Sequence, residues 1–338
     1  MKNTRRTIIL PIIAGCFIVH APAQSGNVLI GRYPQASSSL SYAPGQIATI
    51  GVAGLRAIST IPFTQRATSL PLPKSLSGIS VTVNQSIVTD RFSAAQPVSS
   101  TSAALVSIQQ EAVCSDVTAP PFPPECVITL ITMQIPFELQ YNAIGYPEYL
   151  SYIAFSQDGV EGHSFALNLQ YDSIHIITLS DTNAEPSVPT SSGAPPVVTH
   201  VDGTMVSAKS PANAGEVVVI YAWGLGWTIP SVPTGSATPQ TAPTINSPGW
   251  NGVQVRFDFT VDAAPSETFD TQLPTIPAYL TPGQVGLYQI NVQLPKSFPQ
   301  VPPCSTTDAT VRSNLTIDLN GGFSYDGAPI CVQPPVAN

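Results

Sequence analysis

Apolar and polar residues alternate with a period of two in many short runs of the chain. Ile79, Val81 and Val83 alternate with Ser80, Thr82 and Asn84, and Val253, Val255 and Phe257 alternate with Gln254, Arg256 and Asp258. Successive side chains of a strand point to opposite faces, so each run predicts a strand with one buried face. Val217 to Trp223 is apolar almost throughout, which predicts a strand covered on both sides. Further strands are predicted over 103–112, 127–135, 150–156, 164–170, 173–179, 287–293, 311–318 and 323–332. Asp158-Gly159, Asp202-Gly203 and Asn320-Gly321 punctuate them with residues that accept positive φ at low cost. Many short strands with such punctuation indicate antiparallel sandwiches, not alternating strands and helices.

The strands recur in a fixed order. Residues 44–55, PGQIATIGVAGL, align without gaps with 214–225, AGEVVVIYAWGL. GISVTVN at 78–84 matches GVQVRFD at 252–258, and Met133-Gln134-Ile135-Pro136 matches Val292-Gln293-Leu294-Pro295. Three matches in one order, with loops of differing length between them, are what a duplicated β domain leaves behind. The expected organisation is a leader over 1–23, a first sandwich over 24–180, a Pro/Ser/Thr-rich connection over 181–196 and a second sandwich over 197–338. Residues 228–249 form a long Pro-rich loop inside the second domain. Packing along a sheet edge is its expected role, and a functional loop is the alternative.

Composition narrows the field of functions. Only 9% of the 338 residues are charged and 35 are Pro, which excludes coiled coils, long amphipathic helices and charged disordered tails. With 43% hydrophobic residues the chain has apolar surface enough to fold. Its start, Met1-Lys2-Asn3-Thr4-Arg5-Arg6 followed by an apolar stretch and Ala21-Pro22-Ala23, reads as a secretory signal cleaved before Gln24. The competing reading is a lipoprotein acylated at Cys16, but the apolar run continues past that residue through Phe17, Ile18 and Val19. The apolar stretch is too short to cross a bilayer, and no later segment qualifies as a transmembrane span. Removing Lys2, Arg5 and Arg6 takes the formal charge from −8 to −11, so nucleic acid is not expected as a partner. Cys114, Cys126, Cys304 and Cys331 remain, and an even number in an exported chain predicts two disulfides. Local pairing, Cys114 with Cys126 and Cys304 with Cys331, keeps each bond within one domain.

The second half resembles a known domain family. The residues that carry the likeness are His200-Val201-Asp202-Gly203-Thr204-Met205-Val206-Ser207-Ala208, Pro211, Gly215-Glu216-Val217, Ile220-Tyr221 and Gly224-Leu225-Gly226. Pro233-Thr234-Gly235 and the block from Val285 to Pro295 follow in the same order. Together they are similar to an uncharacterised C-terminal domain of secreted acidobacterial proteins, itself similar to immunoglobulin-like IPT/TIG modules. The likeness covers about 197–332, and 43–180 more loosely. It implies an all-β protein of two tandem immunoglobulin-like antiparallel β-sandwich domains, and it brings no activity with it. Trp223 stands where the family carries a small or polar residue, and the cysteines are not part of its motif.

Candidate chemistry is sparse. Gly162-His163-Ser164-Phe165-Ala166 has the letters of a hydrolase nucleophile elbow, but strand residues follow Ser164 where the elbow needs a helix. His163, His175 and His200 are the bases left after the leader. Asp158 with Glu161, Asp181 with Glu185, and Asp318 with Asn320 are carboxylate or amide pairs with no calcium-loop spacing. Neither a metal nor a cofactor is expected. Trp223, Trp227 and Trp250 gather in the second half, and Tyr141, Tyr146, Tyr149 and Tyr152 in the first. Core packing is their expected role, and stacking on sugar rings is the alternative. The expectation is a non-enzymatic extracellular adhesion, scaffold or envelope-interaction protein. Its expected partner is a protein or polysaccharide at the cell surface; carbohydrate binding through the tryptophans is one alternative and hydrolysis at Ser164 another.

Overall fold

The computed structural model describes residues 28–33, 40–115, 120–140, 147–182, 195–246, 252–258, 271–273, 276–298, 304, 313–319 and 324–333. The expected leader with Cys16 lies outside them, as do Tyr141, Tyr146, Glu185, Trp250, Asn320 and Gly321. The first half contributes β1 (Val28–Tyr33), β2 (Ser41–Tyr42), β3 (Ile47–Ala53), β4 (Phe63–Arg66), β5 (Ser75–Leu76) and β6 (Ile79–Val88). It continues with β7 (Gln96–Ser102), β8 (Ala104–Ala112), β9 (Val127–Gln134), β10 (Glu148–Gln157) and β11 (Val160–Leu169). Then follow β12 (His175–Ile176), β13 (Val198–His200), β14 (Val217–Trp223), β15 (Thr228–Ile229) and β16 (Thr244–Ile245). The chain closes with β17 (Val253–Asp258), β18 (Thr271–Gln272), β19 (Ala278–Leu280), β20 (Tyr288–Gln293), β21 (Ser313–Leu319) and β22 (Tyr325–Ile330). Helix among the described residues is limited to single turns at Pro124–Cys126 and Leu179–Thr182.

Four sheets form two layered cores. In the first half the order β1-β3-β9-β8-β4 faces β2-β11-β10-β6-β5, with β7 also on β6. Ile50, Val81, Ile131 and Phe155 meet between these sheets, fully buried. In the second half β12-β14-β20-β19-β16-β15, with β13 on β14, faces β18-β17-β21-β22. Ile220, Val255, Ile290 and Ile317 fill that core. The alternation read from the sequence explains the facing: in β6, Ile79, Val81 and Val83 are buried while Ser80, Thr82 and Asn84 are half-exposed. Burying each large aliphatic side chain contributes roughly 1.5–3 kcal/mol, and a one-residue slip would turn the whole set outward.

The central strand orders of the two halves correspond. β3-β9-β8 matches β14-β20-β19, and β7-β6-β10-β11 matches β18-β17-β21-β22. In each half the entering segment pairs antiparallel in one sheet, then crosses to run parallel with the last strand of the other. Ser41–Tyr42 run along Asn168–Leu169, and Ala212 sits beside Val332. The turns ahead of β3 and β14 are built alike: Ala43 N–H donates to Gln46 Oε1 at 2.9 Å, and Asn213 N–H to Glu216 Oε2 at 2.7 Å. Gln134 Nε2 donates to the Gly45 carbonyl at 3.2 Å, and Gln293 Nε2 to the Gly215 carbonyl at 3.3 Å.

Two expectations change. Val217–Trp223 is not covered on both faces: Val218, Ile220 and Ala222 are buried, while Val217, Val219, Tyr221 and Trp223 are half-buried on the outer side. A sheet with antiparallel partners leaves one face toward water, so a continuous apolar run does not by itself require a second cover. The strand expected over 173–179 shrinks to His175–Ile176, and it pairs with Trp223–Ala222 of the second half. Hydrogen bonding passes from one half to the other between Gln170, whose N–H binds Tyr42 O, and Ser173, whose N–H binds Gly224 O. The Pro/Ser/Thr-rich stretch expected to connect the domains begins and ends beside itself, because Leu179 N–H binds Pro195 O and Val197 N–H binds Ile177 O. The residues that flank this stretch, 177–179 and 195–197, therefore lie side by side.

Candidate functional site

The seam between the halves is built from three places in the sequence. Gly224 has φ +80, and a Cβ there would lie 2.0 Å from the Ser173 carbonyl oxygen, so only glycine lets the two backbones meet. Gln46, fully buried at the start of β3, donates through Nε2 to the same carbonyl at 3.0 Å. The Pro-rich loop of 228–249 supplies the third contact. Its ends form the β15–β16 hairpin at the edge of the larger sheet, as expected, while its tip docks on the first half. Phe137 N–H donates to Thr234 Oγ1 at 2.8 Å, and Thr234 N–H to Glu138 Oε1 at 3.0 Å. Gly235 N–H donates to Gln134 Oε1 at 2.6 Å, and Leu72 N–H donates to Gly235 O at 2.8 Å. Phe137, a residue of the first half, packs into the apolar core of the second.

Carboxylates pin the crossing segment to the second half. Asp172 is fully buried, and its Oδ1 accepts Ser324 N–H at 2.7 Å and Ser324 Oγ–H at 2.5 Å. Asp326 Oδ2 accepts Ile176 N–H at 2.8 Å, and Asp181 Oδ2 accepts Thr178 N–H at 2.7 Å. His175 lies between these two acids, Nε2 at 3.1 Å from Asp181 and Nδ1 at 3.7 Å from Asp326. Burial pushes the Asp326 carboxyl above the usual carboxylate range, against the pull of His175. Burial likewise raises Asp318, with Arg256 3.7 Å away opposing it. Each of the best-placed acids in this cluster is occupied by backbone or hydroxyl donors, and among the described residues no group of three or more metal-binding side chains converges. Asp158, one of the pairs considered for calcium, instead meets Arg56 at 2.6 Å on the surface, at the tight turn between β10 and β11.

His200 carries the other cluster. Its Nδ1 bonds Glu216, and its Nε2 lies 3.1 Å from both the carbonyl and the hydroxyl of Ser210. The order Ser–His–Glu has the look of a hydrolase triad. The Ser210 N–H, however, is committed to the Ser207 carbonyl, and the Ser207 N–H returns to Ser210 O, so the segment is a closed tight turn. With an acid on one ring nitrogen and a carbonyl on the other, the arrangement favours an imidazolium that donates twice. The Glu216 hydrogen bond accordingly raises the His200 pKa, against desolvation. Burial pushes Glu216 upward, but the Asn213 N–H and His200 outweigh it and hold its carboxyl below the usual value. These are the His200 and Gly215-Glu216 positions of the sequence motif, and the geometry makes them a staple joining β13, the 207–210 turn and β14.

Ser164 sits within β11, exposed and opposite Ala154, five residues after the Gly159 turn. It is a strand residue and not at a strand-to-helix bend. Both disulfides follow the local pairing, with Cα–Cα distances of 5.1 Å for Cys114–Cys126 and 5.4 Å for Cys304–Cys331.

The two described tryptophans, Trp223 and Trp227, are half-buried and do not fill the core. Trp223 stands on the outer face of β14, opposite His175, with ring centroids 5.6 Å apart. Trp227 meets Tyr171 edge-on at 6.0 Å. Tyr152 on β10 is exposed and Tyr149 half-buried. Sequence reasoning passed over Tyr279, which register brings into one row with Gln289 and Tyr221. Tyr221 was legible from alternation along β14; the row was not, because Tyr279 joins it only through Gln289, and Tyr221 lies nearly sixty residues away in sequence. No family model matches the chain, and no curated protein matches it.

Proposed function

We propose that the chain is an exported, non-enzymatic protein of two tandem immunoglobulin-like sandwiches that serves as an adhesion, scaffold or cell-envelope interaction module. The strand orders support this reading: β1, β3, β9 and β8 take the places of immunoglobulin strands A, B, E and D, and β7, β6, β10 and β11 those of C′, C, F and G. β13, β14, β20, β19, β18, β17, β21 and β22 take the same places in the second half. The matching halves and the motif of 200–226 support a duplicated, IPT/TIG-like origin, and the paired cysteines suit an oxidising compartment. The observation that carries the proposal is the seam. The crossing, two residues between Gln170 and Ser173, and the docking of Thr234 and Gly235 on the first half support a scaffold in which two sandwiches present surfaces in fixed relation.

Export and rigidity are separately testable. Expression of the full chain in an exporting host should yield a mature N-terminus at Gln24, and small-angle scattering should fit a single arrangement of the two halves. Retention in the cytoplasm with Met1 intact overturns export. Scattering that demands many domain orientations overturns the scaffold reading.

A second reading is carbohydrate binding by the second sandwich. It rests on Trp223, which lies on the outer face of its sheet, away from the core that its sequence context indicated.

A further inference from the structure

The outer side of the larger sheet in the second half carries a strip of aromatic and amide side chains. Tyr221 pairs with Gln289, and Gln289 with Tyr279, so the three stand in one row across β14, β20 and β19. Directly opposed residues of antiparallel strands share a face. That face is the outer one, since the alternate residues Ile220, Ala222, Tyr288, Ile290, Ala278 and Leu280 are buried. Trp223 follows two positions along β14 and Asn291 two positions along β20, both on the same side. With neighbouring strands about 4.8 Å apart, the two tyrosines are rooted about 10 Å from each other.

The chemistry of the strip selects a ligand class. The outward positions of β14, β19 and β20 include no Asp, Glu, Lys or Arg. Along these three strands a charged polymer would find no counter-charge and would lose hydration without return; His175, with Asp181 against it, stands beyond Trp223 on β12. Flat aromatic faces match the apolar faces of sugar rings, and side-chain amides both donate to and accept from hydroxyls. We infer that this strip binds an uncharged polysaccharide, with sugar rings stacked on Tyr221 and Tyr279 beside Trp223 and hydroxyls held by Gln289 and Asn291. Trp227 has no part in it, because it lies beyond the end of β14 at Trp223, with its ring edge-on to Tyr171. The inference rests on the carbohydrate reading and specifies its site and substrate class.

The test is affinity electrophoresis of the full chain through gels containing hydroxyethyl cellulose, xyloglucan or dextran, with polygalacturonate gels alongside. Retardation is expected in at least one neutral gel and not in polygalacturonate, unchanged between about 0.05 and 0.5 M salt because no ion pairs are screened. Tyr221→Ala and Tyr279→Ala should each weaken binding about 2- to 12-fold, the scale of one aromatic stack. Tyr221→Phe and Tyr279→Phe keep the ring and should retain most of it, and Trp227→Phe should leave binding unchanged. Near-ultraviolet circular dichroism of each variant separates loss of the site from loss of the fold. Retardation in none of the four gels overturns both the inference and the carbohydrate reading. Binding that survives both alanine substitutions but falls with Trp227→Phe, or that follows polygalacturonate and salt, leaves carbohydrate binding standing and overturns this site.

Discussion

Gln134 and Gln293 hold matching places at the ends of β9 and β20, and alanine at each gives a controlled measure of the seam. Both side chains donate Nε2 to the carbonyl of a turn glycine, Gly45 or Gly215. Their surroundings differ: Gln134 is 1% exposed, whereas Gln293 is exposed. Gln134 also accepts Gly235 N–H at 2.6 Å through Oε1, so it ties the Pro-rich tip of the second half to the first. Gln134→Ala leaves one donor and one acceptor in the seam without their partner. A buried polar group so stranded costs about 1–3 kcal/mol, which puts the pair at about 2–4 kcal/mol once partial relaxation is allowed. Water replaces the amide in Gln293→Ala, which should cost less than about 0.5 kcal/mol, as other exposed substitutions do. For domains of this size each kcal/mol lowers the melting temperature by roughly 2–4 °C, so Gln134→Ala should melt roughly 4–16 °C lower. Thermal unfolding followed by far-ultraviolet circular dichroism, with urea titrations at fixed pH, measures both variants. Equal costs for the two, within about 0.5 kcal/mol, would show that the seam is wet and that its hydrogen bonds do not hold the halves together.

Two further outcomes are expected. Replacing Cys114 and Cys126 together by Ser opens a loop of 12 residues and should cost about 2.8 kcal/mol; the corresponding change at Cys304 and Cys331 opens 27 residues and should cost about 3.6 kcal/mol. Urea midpoints of the two double variants check the order, and a larger loss for the shorter loop contradicts it. The His200–Glu216 staple should make stability depend on pH within limits set by its two partners. His200 is raised in the folded state, so its contribution is complete below the ordinary histidine value near 6.5 and is lost as pH climbs through the higher folded value. Glu216 is depressed, so its contribution is complete above the ordinary value near 4.5 and is lost as pH falls through the folded one. Melting temperatures between those limits should exceed those on the alkaline side, and His200→Gln should flatten the alkaline fall; an unchanged profile in that variant refutes the staple.

Much of the fold was legible because period-two alternation survives in single strands. β6 and β17 are read correctly from seven residues each, and the Asp158-Gly159 hairpin from two, since both signals are local. The disulfide pairing was also legible, because each partner lies within one predicted domain. The errors lie where a residue's environment is supplied by distant chain. Val217–Trp223 has the composition of a doubly covered strand, yet nothing in its own residues states whether a second layer lies over it. The segment 173–179 carries strand character, and which half it joins depends on Gly224, where a missing side chain admits the Ser173 carbonyl.

Local sequence therefore determined the strands, their buried faces, the turns and the even count of cysteines, because alternation and backbone preference act over a few residues. Tertiary structure decided which half owns the crossing segment, that the Pro-rich loop clasps the first sandwich, and that Tyr221, Gln289 and Tyr279 share one row. Those outcomes depend on register between strands far apart in the chain. Register is set by the fit of whole buried faces, a property that no short run of residues contains.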